Sequence, residues 1–493
     1  MASRSIPNPV ISPVISPVIR PVISPAYRLV IRLEIDNRPG MFATVARAIA
    51  DRGCSLGAID LVDASPAKHV RDVTVDAPDE ETGKILAADL HTLPGVVVRS
   101  VSDRTFLMHL GGKVEIKGRV SVRTRDDLSL VYTPGVARVC RSIAEDPERS
   151  WALTQRANTI MIVSDGTAVL GLGNVGPLAA LPVMEGKSLL FSDLAGVSAY
   201  PLVITPGTPA EEVEAIARMS IGFGGINLED IAAPACFEIE RQLRARLDIP
   251  VFHDDQHGTA VVVLAALRNA AAVCGTDLAA LRVVVLGAGA AGTATARLLR
   301  TAGAGSVTVA DRSGAITTGR TDLNAEKRVL AEELGATGPA RGLPEIVRGC
   351  HVLIGLSGPR LVTLEMAESM ARPRIIFALA NPEPEIDPVI VADRVDIMAT
   401  GRSDYPNQVN NVLAFPGIFR GLLDARASTV TSNMVLAAAE ALAATVPPEL
   451  RSAEYILPSV FDTAVVPAIA KAVAAAARAD GVARKAAKDN AAL

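Results

Sequence analysis

One stretch constrains this chain more than any other. Residues 281–299 read LRVVVLGAGAAGTATARLL. Val283–Leu286 is a short apolar run of the kind found in buried strands. Gly287, Gly289 and Gly292 follow it in G-x-G-x-x-G spacing, and a helix-forming run comes next. Ser306–Ala310 reads as a second strand and ends on Asp311. Glycines at these positions permit a tight turn and let the backbone approach a pyrophosphate closely. The helix start supplies amides, and an acid after the second strand accepts bonds from ribose hydroxyls. The cofactor-binding candidates are therefore Gly287, Gly289, Ala290, Ala291, Gly292, Asp311 and Arg312. The acid favours NAD because it repels a 2′-phosphate. Arg312, directly after it, leaves NADP open.

Strands continue to alternate with helices from 280 to about 440, the pattern of a parallel α/β sheet. A Rossmann-type domain is expected over 261–440, a second α/β domain over 106–260, and a helical segment over 441–493 that packs back on the core. The 49 basic and 53 acidic side chains leave a net charge of −4, without the basic excess of a nucleic-acid binder. The five cysteines form no C-x-x-C pair, which excludes a zinc knuckle and suits a reducing, cytoplasmic setting. The apolar runs 258–274 and 432–445 are broken by Arg268 and Glu440, so no membrane span is expected.

The N-terminal region divides in two. Residues 7–25, PNPVISPVISPVIRPVISP, repeat proline too often for a helix or a sheet interior. Residues 1–26 are expected to form an extended, disordered tail. From Tyr27 a strand pattern runs to Ile35, then a turn, Asp36-Asn37-Arg38-Pro39-Gly40, then a helical pattern through Met41, Val45 and Ile49. Strands near 56–62 and 69–76, a helix near 80–92 and a strand near 95–102 complete a ferredoxin-like βαββαβ order over 27–105. The stretch DNRPGMFATVARAIADRG resembles the ligand-binding loop of ACT domains. That resemblance implies a regulatory module that takes an amino acid or related metabolite, with plain dimerisation as the other role open to it.

Two acidic pairs stand out further along. Glu229 and Asp230 close GINLED, and Asp254 and Asp255 lie within VFHDDQHGT. Each pair follows a short apolar run, so the carboxylates can converge at strand ends. Three carboxylate oxygens suit a hard divalent cation, Mg²⁺ or Mn²⁺; solvated turn acids or helix caps would carry the same pattern. His253 and His257 flank the second pair, but no further His or Cys stands at zinc spacing. Tyr132 precedes a Pro-Gly turn in YTPGVA. A second glycine-rich run, SDGTAVLGLGNVG, lacks the ribose acid of a dinucleotide site and leads to Lys187 in PVMEGK.

Taken in order, YTPGVA, SDGTAVLGLGNVGP, PVMEGK, INLEDI, HDDQHGT, GAGAAG, ALANPEPEI and GRSDYPNQVNNVLAFPG resemble the malic enzymes, most closely their bacterial form. The resemblance covers about 106–480. It implies oxidative decarboxylation of L-malate to pyruvate and CO₂, with NAD(P) and Mg²⁺ or Mn²⁺, in a homodimer or larger homo-oligomer. It assigns Tyr132 as general acid, Lys187 as general base and Asp254 as the lysine's hydrogen-bond partner. Glu229, Asp230 and Asp255 become metal ligands, and Asn381 and Asn411 hold the malate carboxylate, with Asn381 also at the cofactor. A neutral Lys187 is needed for its role. Ala168 stands where eukaryotic members carry an arginine for the second carboxylate. A malolactic enzyme, which releases lactate, uses the same residues; a metabolite sensor with an inert core is the reading from a different class.

Overall fold

The computed structural model describes residues 27–169 and 171–484. The proline-rich repeat and the last residues of the C-terminal segment lie outside them. The chain forms two compact units, divided between Val101 and Ser102.

The first unit contains strands β1 (Tyr27–Asp36), β2 (Ser55–Ala64), β3 (Lys68–Ala77) and β4 (Val96–Asp103), with helices Met41–Asp51 and Glu80–Thr92 between them. Its sheet has the order β2-β3-β1-β4, and β3 runs antiparallel to both β1 and β2. The two-residue period of β1 decides which face is covered. Leu29, Ile31, Leu33 and Ile35 are buried with Val45, Ile49, Leu86 and Leu90 of the two helices. The other face pairs Arg28 with Asp76 and Arg32 with Asp72 across β1 and β3. This is the βαββαβ arrangement expected from the alternation of the sequence.

The second unit holds two parallel sheets. The smaller comprises β5 (Thr159–Ser164), β6 (Ser198–Val203), β7 (Gly225–Leu228) and β8 (Val251–His253), in the order β6-β5-β7-β8. The larger comprises β9 (Arg282–Leu286), β10 (Ser306–Asp311), β11 (Gly314–Ala315), β12 (Val352–Gly355), β13 (Ile375–Ala378) and β14 (Ile397–Thr400). Its order, β11-β10-β9-β12-β13-β14, is that of a Rossmann sheet, with the short β11 antiparallel at the edge. Strands β5, β7, β8, β12 and β13 are buried throughout, which is why they read as continuous apolar runs rather than alternating ones.

Helix Asp254–Val273 begins at the end of β8 and runs straight through the boundary expected at residue 260. Apolar side chains of this helix and of both sheets belong to one core cluster, so no linker separates the two halves there. Buried Asn269 ties the helix to the C-terminal segment by donating to the carbonyls of Ala443 (3.0 Å) and Ile456 (2.9 Å). Helix Val465–Ala479 packs on helices Phe415–Asp424 and Ser432–Ala444. No helix among the described residues is long and apolar enough to cross a membrane.

Candidate active site

In parallel α/β sheets, ligands gather beyond the carboxyl ends of the strands. The smaller sheet places its polar residues there. Asp165 follows β5, Glu229 and Asp230 follow β7, and Asp254 and Asp255 follow β8. Glu229, Asp230 and Asp255 each turn one carboxylate oxygen inward, and these oxygens lie within 4.8 Å of one another. Asp230 sits in the left-handed region at φ 54°, a conformation of some cost for a residue with a side chain. Its amide donates to Asp255 Oδ2 at 2.8 Å, and its own Oδ2 is buried with no partner. An orphaned carboxylate oxygen beside two further acids fits a divalent cation. The three residues present the all-oxygen donor set of Mg²⁺ or Mn²⁺.

The SDGT turn braces this loop, and its Thr167 and Ala168 line a cavity shared with the glycine turn at 289–291. Thr167 Oγ1 donates to Asp165 Oδ1 at 2.7 Å and accepts from the Ala232 amide at 2.9 Å, while the Ala168 amide donates to the Asp230 carbonyl.

Lys187 lies in helix Pro177–Ala195 and is only 6 % exposed. Its sequence neighbours alone would suit a surface lysine with its stem on apolar ground. Instead it is enclosed, with Nζ donating to Glu229 Oε2 at 2.5 Å and to Asp254. The ammonium lies 4.3 Å from the centre of the Phe415 ring. Burial pulls its pKa down, but Asp254, Glu229 and Asp255 together outweigh burial and hold it above the usual lysine value. Asp254 Oδ2 also accepts from Asn411 Nδ2 at 2.6 Å. The motif's glycine has a steric reason: a Cβ at Gly258 would stand 1.8 Å from Asp254 Oδ1.

Burial raises all four acids. Glu229 reaches about 7, Asp230 about 8, Asp254 about 7 and Asp255 about 6, with neighbouring carboxylates adding to burial and Lys187 opposing both. His253 is wholly buried and pushed down to about 4, so it is neutral near pH 7.

The glycine turn faces two cavities. One, of about 830 Å³, is lined by Gly287, Gly289, Asp311, Arg312 and Leu343 among others. A Cβ at Gly292 would lie 1.9 Å from the Gly287 carbonyl oxygen, so close packing of helix on strand demands glycine there. Asp311 accepts from Arg320 Nη1 at 2.8 Å and from Lys327 Nζ at 2.6 Å, partners that the sequence did not reveal. The other cavity, of about 620 Å³, brings together Asp255, the turn residues Gly289, Ala290 and Ala291, and both Asn381 and Asn411. Arg402 does not reach free into it. Its guanidinium is held by Asp404 at 2.8 and 2.6 Å.

Tyr132 stands apart. It is the C-cap of helix Arg125–Val131 and 67 % exposed, and it is not among the residues lining either cavity. Phe106, Leu110, Ile116, Leu128 and Leu130, on the same segment, are also exposed.

Two family models match the chain: a malic enzyme N-terminal domain over residues 111–215 and a malic enzyme NAD-binding domain over 256–478. An NAD-dependent malic enzyme of Geobacillus stearothermophilus is 48% identical over 93% of this chain and 96% of its own length. That share is larger than Ser102–Leu493 alone could supply, so the similarity extends into the N-terminal unit. A bifunctional malic/malolactic enzyme of Bacillus subtilis is 48% identical over 76% of this chain and 92% of its own. Among solved structures, an NAD-dependent malic enzyme of Thermotoga maritima superposes with a TM-score of 0.72 at 43% identity, covering 76% of this chain and 99% of that one.

Gly292→Ala tests the cofactor turn. The added methyl must push the Gly287 carbonyl out of place, so NADH affinity is expected to fall at least tenfold by fluorescence titration. Unchanged affinity would show that the turn does not carry the dinucleotide.

Proposed function

The chain belongs to the malic enzyme family, and on that premise we propose that it converts L-malate to pyruvate and CO₂ with reduction of NAD, using Mg²⁺ or Mn²⁺. The observation that carries this reading is the single cavity shared by Asp255, Asn381, Asn411 and the Gly289–Ala291 turn. It puts an acid of the three-carboxylate cluster, amide donors and a dinucleotide turn around one space, of about 620 Å³, with room for a small acid beside the reacting end of a dinucleotide.

A bound cation would polarise a substrate oxygen and offset charge as the carboxylate leaves, and NAD would accept the hydride. Glu229, Asp230 and Asp255 are the residues to hold the metal. Asn381 and Asn411 supply amide donors for a carboxylate, and the Gly289–Ala291 backbone supports the dinucleotide beside it. Lys187 takes the hydroxyl proton. For that it must first be neutral; a metal held by Glu229 and Asp255 would remove two of the three attractions that hold its proton. Asp254 keeps the amine aimed throughout. Asp311 supports NAD as the cofactor; Lys327 and Arg312 beside it are the features that would favour NADP.

Tyr132 is assigned as the acid that protonates the enolate carbon, in trans. Its exposure, and the exposed apolar side chains on its segment, support a homodimer in which Tyr132 completes the partner's site. Lys187→Ala and Tyr132→Phe should each lower turnover about 10²–10⁴-fold. Mixing the two inactive variants should restore part of the activity, because hybrid dimers hold one intact site. No recovery on mixing would place Tyr132 in its own subunit, and full activity of either variant would end its assigned role. The similarity to a malic/malolactic enzyme keeps lactate as the second product to look for.

The four raised carboxyls fix the pH dependence. A group whose folded pKa lies above its unfolded value contributes stability below the unfolded value and loses it as pH rises through the folded one. The metal-free protein should therefore lose stability between about pH 4 and 8. Metal binding requires the ionised acids, so added Mn²⁺ should raise the melting temperature more at about pH 8 than at about pH 6. A larger increment at the lower pH would contradict the assignment.

The N-terminal unit is assigned as an ACT-like sensor of an amino acid or related metabolite. Its βαββαβ sheet and the turn before helix Met41–Asp51 support this. Calorimetric titration of the full chain with amino acids should give saturable heat and a shifted malate KM. Absence of both for all twenty would leave the unit a structural role.

A further inference from the structure

Helix Ala235–Arg246 buries Cys236, Ile239 and Leu243 at i, i+3 and i+7. Its remaining buried position, i+4, is Glu240, an acid 5 % exposed in an apolar stripe. A buried carboxylate needs partners, and Glu240 finds most of them in one place. His257 Nε2 donates to Oε1 at 2.8 Å and lies 3.1 Å from Oε2. Gln256 Nε2 donates to Oε2 at 3.1 Å, and the His253 amide donates to Oε1 at 3.4 Å. From its own helix, Arg244 approaches to 3.7 Å. Burial raises the Glu240 pKa, but His257, His253 and Arg244 outweigh burial and hold it below the ordinary value.

The three donors of the β8–helix junction bracket Asp254 and Asp255. One precedes the pair and two follow it, so a single side chain from a different helix grips both ends of the turn. We propose that Glu240 is a positioning residue for the metal and for Lys187: it locks the first turn of helix Asp254–Val273 so that Asp255 faces Glu229 and Asp230 while Asp254 faces Lys187. The inference rests on the metal assignment above. It gives the two histidine positions of the HDDQH motif a shared purpose that is not ligation. His257 supplies a side-chain donor and His253 supplies its backbone amide. Glu240→Gln keeps the size of the side chain but turns one acceptor oxygen into a donor, which opposes the donors already aimed at it. The turn should loosen while the dinucleotide turn, on a different sheet, is undisturbed.

The test measures Mn²⁺ binding to the full-length protein by electron paramagnetic resonance, with NADH binding by fluorescence as the control. Glu240→Gln should weaken Mn²⁺ at least tenfold and leave NADH within twofold of wild type. The double variant Glu240→Gln/His257→Asn should bind Mn²⁺ no worse than Glu240→Gln alone, because both changes remove one contact. Mn²⁺ affinity of Glu240→Gln within twofold of wild type would overturn the inference. A parallel loss of Mn²⁺ and NADH binding would also overturn it, since that marks general damage to the fold. Should Glu240→Gln fail to fold, His257→Asn and Gln256→Leu decide, with a threefold or greater loss of Mn²⁺ affinity expected and unchanged affinity overturning the proposal. Failure of the wild-type protein to bind Mn²⁺ would instead remove the metal assignment beneath it.

Discussion

Four carboxyl groups and one ammonium share a buried volume at the ends of β7 and β8. The rest of the second unit is arranged around that imbalance. An ion taken out of water costs several kcal/mol unless its partners replace the solvent. Lys187 offsets part of the acidic charge, and protonation of the raised carboxyls offsets more. Neither provides a partner for Asp230 Oδ2. Without a bound cation, a site of this kind is most stable when partly protonated; the proposed metal would bring it to its working charge state. The left-handed backbone at Asp230, the glycine at 258 and the knitting of the SDGT turn to Ala232 all hold geometry that the charges themselves oppose.

The two sheets then bring chemistry to one place. The smaller offers acids from successive strand ends, and the larger offers its glycine turn and the loops after β13 and β14. Helix Asp254–Val273 serves both, since its first turn carries Asp254 and Asp255 while its body packs in the common core. Residue 260 therefore lies within a helix common to both halves, not in a linker between them.

Much of this was legible in the residues. Strand, glycine turn, helix and Asp311 are local features, read from spacing alone. The two acidic pairs were visible as carboxylates after apolar runs, but their convergence depends on β7 and β8 being neighbours, which no local pattern states. Lys187 illustrates the limit: its flanking residues suit a surface lysine, and only the fold encloses it between Glu229 and Asp254. The salt bridges of Asp311 to Arg320 and Lys327 were hidden for the same reason. Glu240 did leave a signal, an acid at a core position of a helical stripe, which marks a buried charge in need of partners. Tyr132 is legible only through the resemblance, and it lies on a segment whose apolar side chains are exposed among the described residues.

The proposed chemistry is oxidation and decarboxylation of malate with a dinucleotide and a divalent cation. Product analysis by nuclear magnetic resonance, with L-malate, Mn²⁺ and excess NAD, tests it most directly. Pyruvate and NADH are expected in equal amounts, formed only when metal is present. Lactate without net NADH, or equal turnover after chelation of all metal, would contradict it.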